Sequence, residues 1–294
     1  MQENLGSYMT SRLTRVSFDC QGHVDHLGWS GGTPYLYFYE RDQDRIPLSL
    51  LVGYEIRLEV EGTRICTECG SPTNETPPCS NCSNGPPFTP CVWNPGSRCT
   101  FQDCPYPDYK AKNCDQEFIV YLVAKDEIKV GITRSARSEN RWCEQGADHA
   151  IAIAVAPNRK IAGIIEDLVG ERLTTSIGSN WYEPLDNPVQ SLAQAAHDAE
   201  DLFADSLHHH YRFSGQSPAE IERFVVDVPC LLEQGRQAIG SKVATISTGE
   251  TREGKVIGVR GSNIATDRFV FNSKSHRGRR IRLETDAAFM GASK

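Results

Sequence analysis

The chain has 294 residues, of which 39% are apolar and 23% charged, with a formal charge of −7. That length suits one large domain or two to three small ones, and no apolar run approaches the ~20 residues of a membrane span. The stretch before Arg15 lacks the apolar core of a secretory signal, so the expectation is a cytoplasmic protein with no membrane partner.

Residues 1–63 read as an N-terminal β segment. Val16-Ser-Phe-Asp19 and Tyr35-Leu-Tyr-Phe-Tyr39 are short aromatic or branched runs punctuated by Gly31-Gly-Thr-Pro34. Tyr54 to Val60 alternates strictly, as a half-buried strand does. His23 and His26 have ligand-like spacing but no partner motif.

Residues 64–117 are rich in Cys, Pro, Asn and Gly and poor in aliphatic side chains, so metal must stand in for a core there. Eight of the eleven cysteines lie in this stretch. Cys66-x2-Cys69 and Cys79-x2-Cys82 form one set; Cys91, Cys99, Cys104 and Cys114 form the other. Four thiolates close a tetrahedral site, and two-residue spacing lets a tight turn aim both sulfurs at one ion. The expectation is a zinc-binding module with two structural Zn²⁺ ions. A secreted, disulfide-stapled module is the competing reading, opposed by the missing signal and the paired spacing. Cys20, Cys143 and Cys230 read as small buried apolar residues, with Cys143 close enough to the chemistry below to keep a reactive reading.

In residues 118–186, Phe118 to Ala124 and Glu127 to Thr133 read as strands joined by a short polar turn at Lys125-Asp126, hence a hairpin. Ser138 to Gln145 is a short helix and Ala150 to Ala156 a buried strand. Ile161, Ile164, Ile165, Leu168 and Leu173 set a helix over 160–176. Residues 187–228 form a helical segment, with one long helix over 187–211 and a capping-box start at Ser217-Pro-Ala-Glu220. His208-His-His210 reads as a polar helix end.

Residues 229–294 return to β at Lys255 to Gly261, Arg268 to Phe271 and Arg280 to Leu283. From Ser241 onward there are eleven Lys/Arg against five Asp/Glu, a local balance of +6 that leaves −13 for the remainder. The basic run Ser273 to Arg282 reads either as a phosphate footprint or as a charged strand edge.

The central segment gathers groups that suit phosphate chemistry. Tyr121 shares a strand face with Ile119 and Val123; Lys129, Gly131 and Thr133 share a face of the partner strand. Gly131 leaves room for a phosphate or a backbone to approach. Arg141 offers a planar fork for phosphate oxygens, and Lys129 a second positive contact by its position. Glu166 sits on an apolar helix face that turns its carboxylate inward; one carboxylate with phosphate oxygens and waters is a normal Mg²⁺ environment. The plain structural readings are a rim aromatic for Tyr121, an ion pair with Glu144 for Arg141, a solvated carboxylate for Glu166 and a turn former for Asn180. Trp142 and Trp181 read as core.

Val120-Tyr-Leu122, Lys129-Val-Gly-Ile-Thr133, Arg141, Glu166 and Asn180 together resemble the GIY-YIG nuclease pattern over about residues 118 to 183. More closely, Val120-Tyr-Leu, Lys129 to Arg134, Arg141-Trp142, Gln145-Gly-Ala147 and Asn180-Trp181 resemble a bacterial domain family of unknown function with a cysteine-rich segment ahead of a similar stretch. The GIY-YIG likeness implies that Tyr121 helps activate the attacking water or orients the phosphate, Arg141 stabilises transition-state charge, Glu166 holds Mg²⁺ or Mn²⁺, and Asn180 braces the site. Val130 replaces the second tyrosine of that pattern, which weakens a proton-transfer role.

The expected fold class is therefore α+β: a GIY-YIG-like hairpin, helix, strand and helix, with a two-zinc module and flanking β segments. The expected function is metal-dependent phosphodiester cleavage on DNA or RNA. The alternatives are a non-catalytic zinc-stabilised nucleic-acid-binding module, an enzyme on a small molecule or modified nucleotide, and a protein-interaction scaffold.

Overall fold

A computed structural model describes residues 18–40, 45–173, 185–203, 208–228, 231–232 and 243–285. Strand β1 (Phe18–Ser30) turns into β2 (Thr33–Phe38), and β3 (Arg45–Pro47) and β4 (Glu55–Arg64) follow. The cysteine lobe comes next, with short helices α1 (Pro90–Trp93), α2 (Pro95–Arg98) and α3 (Pro107–Asn113). The central segment supplies β5 (Phe118–Ala124), β6 (Ile128–Arg134), α4 (Ser138–Gln145), β7 (His149–Ala156) and α5 (Arg159–Gly170). Then come α6 (Pro188–Asp198), α7 (Pro218–Ile221), β8 (Val226–Asp227) and β9 (Leu231–Leu232). The last strands are β10 (Thr251–Arg260), β11 (Asn263–Thr266), β12 (Val270–Asn272) and β13 (Arg279–Thr285).

Two antiparallel sheets result, an α+β arrangement. The small one runs β6-β5-β7-β8 and the large one β12-β11-β10-β4-β13-β1-β2-β3, with β9 on β10. The N-terminal and C-terminal β segments share the large sheet, because β13 lies between β4 and β1.

Strand β5 is central in the small sheet and buried at all seven positions. Its branched and aromatic run is what a strand covered on both faces requires. Ile119, Tyr121 and Val123 enter the core shared with the large sheet, alongside Trp142, Ile56 and Leu283. Val120 and Leu122 face α5 and α6 through Ile165, Val169 and Leu192. Fully burying a side chain of that size contributes about 1.5–3 kcal/mol.

Three expectations change. The long helix over 187–211 ends at Asp198, and 3-10 turns follow at Glu200–Phe203 and His208–His210. The chain reverses so that Tyr211 can stack on Phe203, hydrogen-bond the Ala196 carbonyl and bridge to Ala154. His208–His210 is therefore a separate 3-10 turn of helix and not the end of the long helix. Helix α5 stops at Gly170, short of 176, and residues 174–176 lie outside the described set. The third change concerns the basic run: β13 is an interior strand, so its arginines do not guard an edge. They pair across the sheet instead, Arg282 with Asp19 at 2.7 Å and Arg280 with Glu61 at 3.6 Å.

Candidate functional site

The first cysteine set is built by local backbone. Cys66, Cys69, Cys79 and Cys82 place their sulfurs within 4.8 Å of one another. The Cys69 and Cys79 sulfurs stand 3.9 Å apart, close to the ~3.8 Å that a tetrahedron with Zn–S of about 2.3 Å requires. That is far beyond a disulfide bond, and the described cysteines are free thiols, so the disulfide reading falls. Burial opposes ionisation of Cys66, but backbone amides of Cys79, Glu68 and Cys69 aimed at its sulfur bring it down to about 6. The Cys79 N–H donates to it at 3.3 Å. Cys82 is pushed up to about 12, first by its hydrogen bond with Cys69. Four thiols in this arrangement suit a soft divalent cation such as zinc.

Cys91, Cys99, Cys104 and Cys114 instead line one enclosed cavity of about 20 Å³ among the short helices. Burial raises the Cys99 and Cys114 thiols. This lobe is pinned to the start of α5: Arg159 donates to the Val92 carbonyl and Lys160 to the Cys99 carbonyl, both at 2.8 Å.

The chemistry-bearing cleft lies where the small sheet meets the turn between β10 and β11, and holds about 260 Å³. In the hairpin, Tyr121 pairs with Gly131. A Cβ at Gly131 would stand 2.7 Å from the Tyr121 phenol oxygen. The group that needs the missing side chain is therefore Tyr121, and the expected phosphate or backbone approach at Gly131 is not what the glycine serves. The phenol donates to Gln145 Oε1 at 2.9 Å, and the Trp142 ring meets Tyr121 edge-on. Burial pushes Tyr121 up to about 12 despite the neighbouring Arg141 guanidinium.

Helix α4 ends at Gly146, whose left-handed φ of 71° suits a residue without a side chain. A Cβ there would lie 3.2 Å from the Gly261 nitrogen in the β10–β11 turn. Arg260 closes this seam, donating from Nε to the Gly146 carbonyl at 2.8 Å and from Nη2 to Asp148 at 2.7 Å. Both side chains of that ion pair are at most 2% exposed. Trp29 adds a hydrogen bond to the Gly261 carbonyl at 3.0 Å.

Lys129 from β6, Arg141 from α4 and Lys274 from the loop before β13 enter the cleft together. Glu144 is the carboxylate lining it, and it is shared: Arg137 approaches at 2.8 Å and Arg141 at 3.5 Å. Lys129 and Lys274 make no ion pair among the described residues. Burial depresses both ammonium groups, and the Arg141 charge depresses them further.

Glu166 on α5 does not line this cleft, though its charge acts on Tyr121 and Lys129. Burial first, and then Asp167, raise its carboxyl to about 7. Asn180, Trp181 and Cys230 lie outside the described residues. Trp142, Cys20 and Cys143 are buried in the core. The sequence marks Lys129 and Arg141 as site residues and Gln145 only within the family-like run Gln145-Gly-Ala147, while Lys274 and Asn263 are not marked as site residues. Lys274 carried the one usable signal, its place in the basic run.

A family model matches residues 53–281, which run from the approach to β4 into β13. The chain belongs to that family, DUF2797, described as a protein of unknown function. In this DUF2797 chain the matched stretch contains all eight clustered cysteines and every cleft residue named above. No curated protein matches the chain, and no solved structure does. Among the described residues, no helix is long and apolar enough to cross a membrane.

Proposed function

We propose that this protein binds nucleic-acid phosphates in the cleft and cleaves a phosphodiester beside it, with a divalent metal on Glu166, which lies outside the cleft lining but whose charge reaches Tyr121 and Lys129. The observation that carries the reading is the group Lys129, Arg141 and Lys274, set against one shared carboxylate. Lys129 is half-buried and Lys274 exposed, each close enough to Arg141 for its charge to act on them, so the three cations repel one another and an incoming phosphate offsets that repulsion. The Arg141 fork takes two phosphate oxygens, and the two ammonium groups offset charge that grows in the transition state. Water adds to phosphorus as the ester oxygen departs; the water gives up one proton to solvent and the leaving oxygen takes one. Glu166 would hold Mg²⁺ or Mn²⁺, which supplies Lewis acidity at a phosphate oxygen.

Tyr121 does not move a proton in this scheme. A phenol at about 12 stays protonated near neutrality, so Tyr121 positions Gln145 at the cleft wall and does not activate water. Asn180 keeps its bracing role as a proposal. The same reading places a second zinc on Cys91, Cys99, Cys104 and Cys114, a GIY-YIG-like plan on residues 118–186 and the protein in the cytoplasm.

Incubation of supercoiled DNA and of RNA with Mg²⁺ or Mn²⁺ tests the chemistry. Metal-dependent nicking that disappears in Glu166→Gln and in Arg141→Ala supports it. Nicking that survives both changes sinks it. The second reading, binding without cleavage, is favoured by the locked Tyr121–Gln145 hydrogen bond. Salt-dependent binding with no product in any metal supports that reading.

A further inference from the structure

The wall of the cleft opposite α4 comes from the large sheet and is chemically distinct. It carries Ser262 and Asn263 from the β10–β11 turn and Asn272 from the end of β12. Asn272 Nδ2 donates to Asn263 Oδ1 at 2.7 Å, while the Asn272 Oδ1 accepts from the Ser275 N–H at 2.9 Å. This leaves the Asn263 amide N–H and the Ser262 hydroxyl without hydrogen-bond partners among the described residues. Neutral donors therefore face cationic donors across one space.

That space is small. At about 260 Å³ it falls below the ~300 Å³ where drug-sized pockets begin. It is walled by elements of both sheets, which the Arg260–Asp148 pair and the Gly146–Gly261 contact hold together. A paired duplex presents its base edges inside grooves and cannot enter such a slot, whereas an unstacked nucleotide can. A lone phosphate would use the cations and leave the Ser262–Asn263 wall unused.

We infer that the cleft accepts one unpaired nucleotide, with its phosphate against Lys129, Arg141 and Lys274 and the acceptor atoms of its base against Ser262 and Asn263. The inference rests on the phosphate-binding reading above. Lys274 makes the large sheet a participant in that site. The nucleotide comes either from a single strand or as a free nucleoside monophosphate, which offer the same groups.

The test is fluorescence anisotropy on the full chain at fixed salt without added Mg²⁺. One probe is a labelled single strand of about 12 nucleotides, within the span of strand-binding grooves; the other is the same strand paired to its complement. A nucleoside monophosphate and inorganic phosphate serve as competitors. The expected result is single-strand affinity at least about tenfold above duplex, the nucleotide competing better than phosphate, and Asn263→Ala lowering single-strand affinity by about tenfold. Ser262→Ala should lower it in the same direction, and melting curves confirm that both variants fold. Equal or tighter duplex binding overturns the inference, and so does unchanged affinity in both wall variants. If Lys274→Ala and Lys129→Ala each leave binding unchanged, the phosphate site itself is wrong, which is a separate failure. Binding of a fluorescently labelled nucleoside monophosphate with no single-strand binding assigns the slot to the free species and supports it.

Discussion

The cysteine lobe and the small sheet are neighbours in the chain and are held together by opposite means. From residue 64 to 117 the buried residues are Cys66, Pro77, Cys79 and Pro95. From Phe118 to Ala124 every residue is buried. The lobe gathers Cys66, Cys69, Cys79 and Cys82 where they could hold a metal ion in place of a core, and the sheet offsets the entropy of ordering its backbone through apolar area. Charge differs in a parallel way. On β13 Arg280 and Arg282 meet carboxylates across the strands, while in the cleft Lys129 and Lys274 meet none among the described residues. Where charges are paired the surface is structural; where they are left unpaired a ligand is expected.

Metal removal should have the largest effect. Elemental analysis should find two zincs per chain, and a structural zinc contributes on the order of 10 kcal/mol to folding. Chelation should then abolish hydrogen-exchange protection from Cys66 to Cys114 while leaving β5 and β7 protected. A lobe that stays protected without metal would break the comparison.

Next comes the seam. Asp148→Ala removes the carboxylate from the Arg260 guanidinium, whose side chain is 1% exposed, and breaking a buried pair costs about 3–5 kcal/mol. Urea unfolding measures it. A loss under about 1 kcal/mol would show that packing alone joins the sheets.

Tyr121→Phe removes the hydrogen bond to Gln145 and should cost about 1 kcal/mol. Because the folded phenol sits at about 12, above an ordinary value near ~10, its contribution is complete below pH ~10. That contribution fades as pH rises from there through about 12. Difference absorbance between the wild type and Tyr121→Phe should show no phenolate signal from this residue at pH ~10. A normal titration would place the phenol in solvent.

The smallest effect belongs to Arg282→Ala, which breaks an exposed pair with Asp19. Its melting temperature and its affinity for a single strand should match the wild type within error. A clear loss of affinity would make the β13 face part of the binding surface.

Much of this is legible in the chain itself. Phe118 to Ala124 was plain because a continuous branched and aromatic run fits few structures besides a covered strand. The first cysteine set was plain because its geometry is local: C-x2-C twice, closed by turns of a few residues. The second set is legible as a count of sulfurs but not as a shape, since the short helices α1, α2 and α3 and the turns between them decide where those sulfurs go. The helix over 187–211 was overrun because periodicity does not register a chain reversal made for Tyr211.

The amino-acid sequence by itself determined the elements of the central segment, the thiol supply and the positions of Tyr121, Lys129 and Arg141. Those follow from short-range patterns of burial, turn chemistry and spacing. Only the tertiary structure decided that Lys274, Asn263 and Ser262 stand opposite them, and that Arg260 locks onto Asp148 from 112 residues away. Contacts of that separation are set by how two sheets pack, and no local period in the chain encodes the packing of one sheet against another.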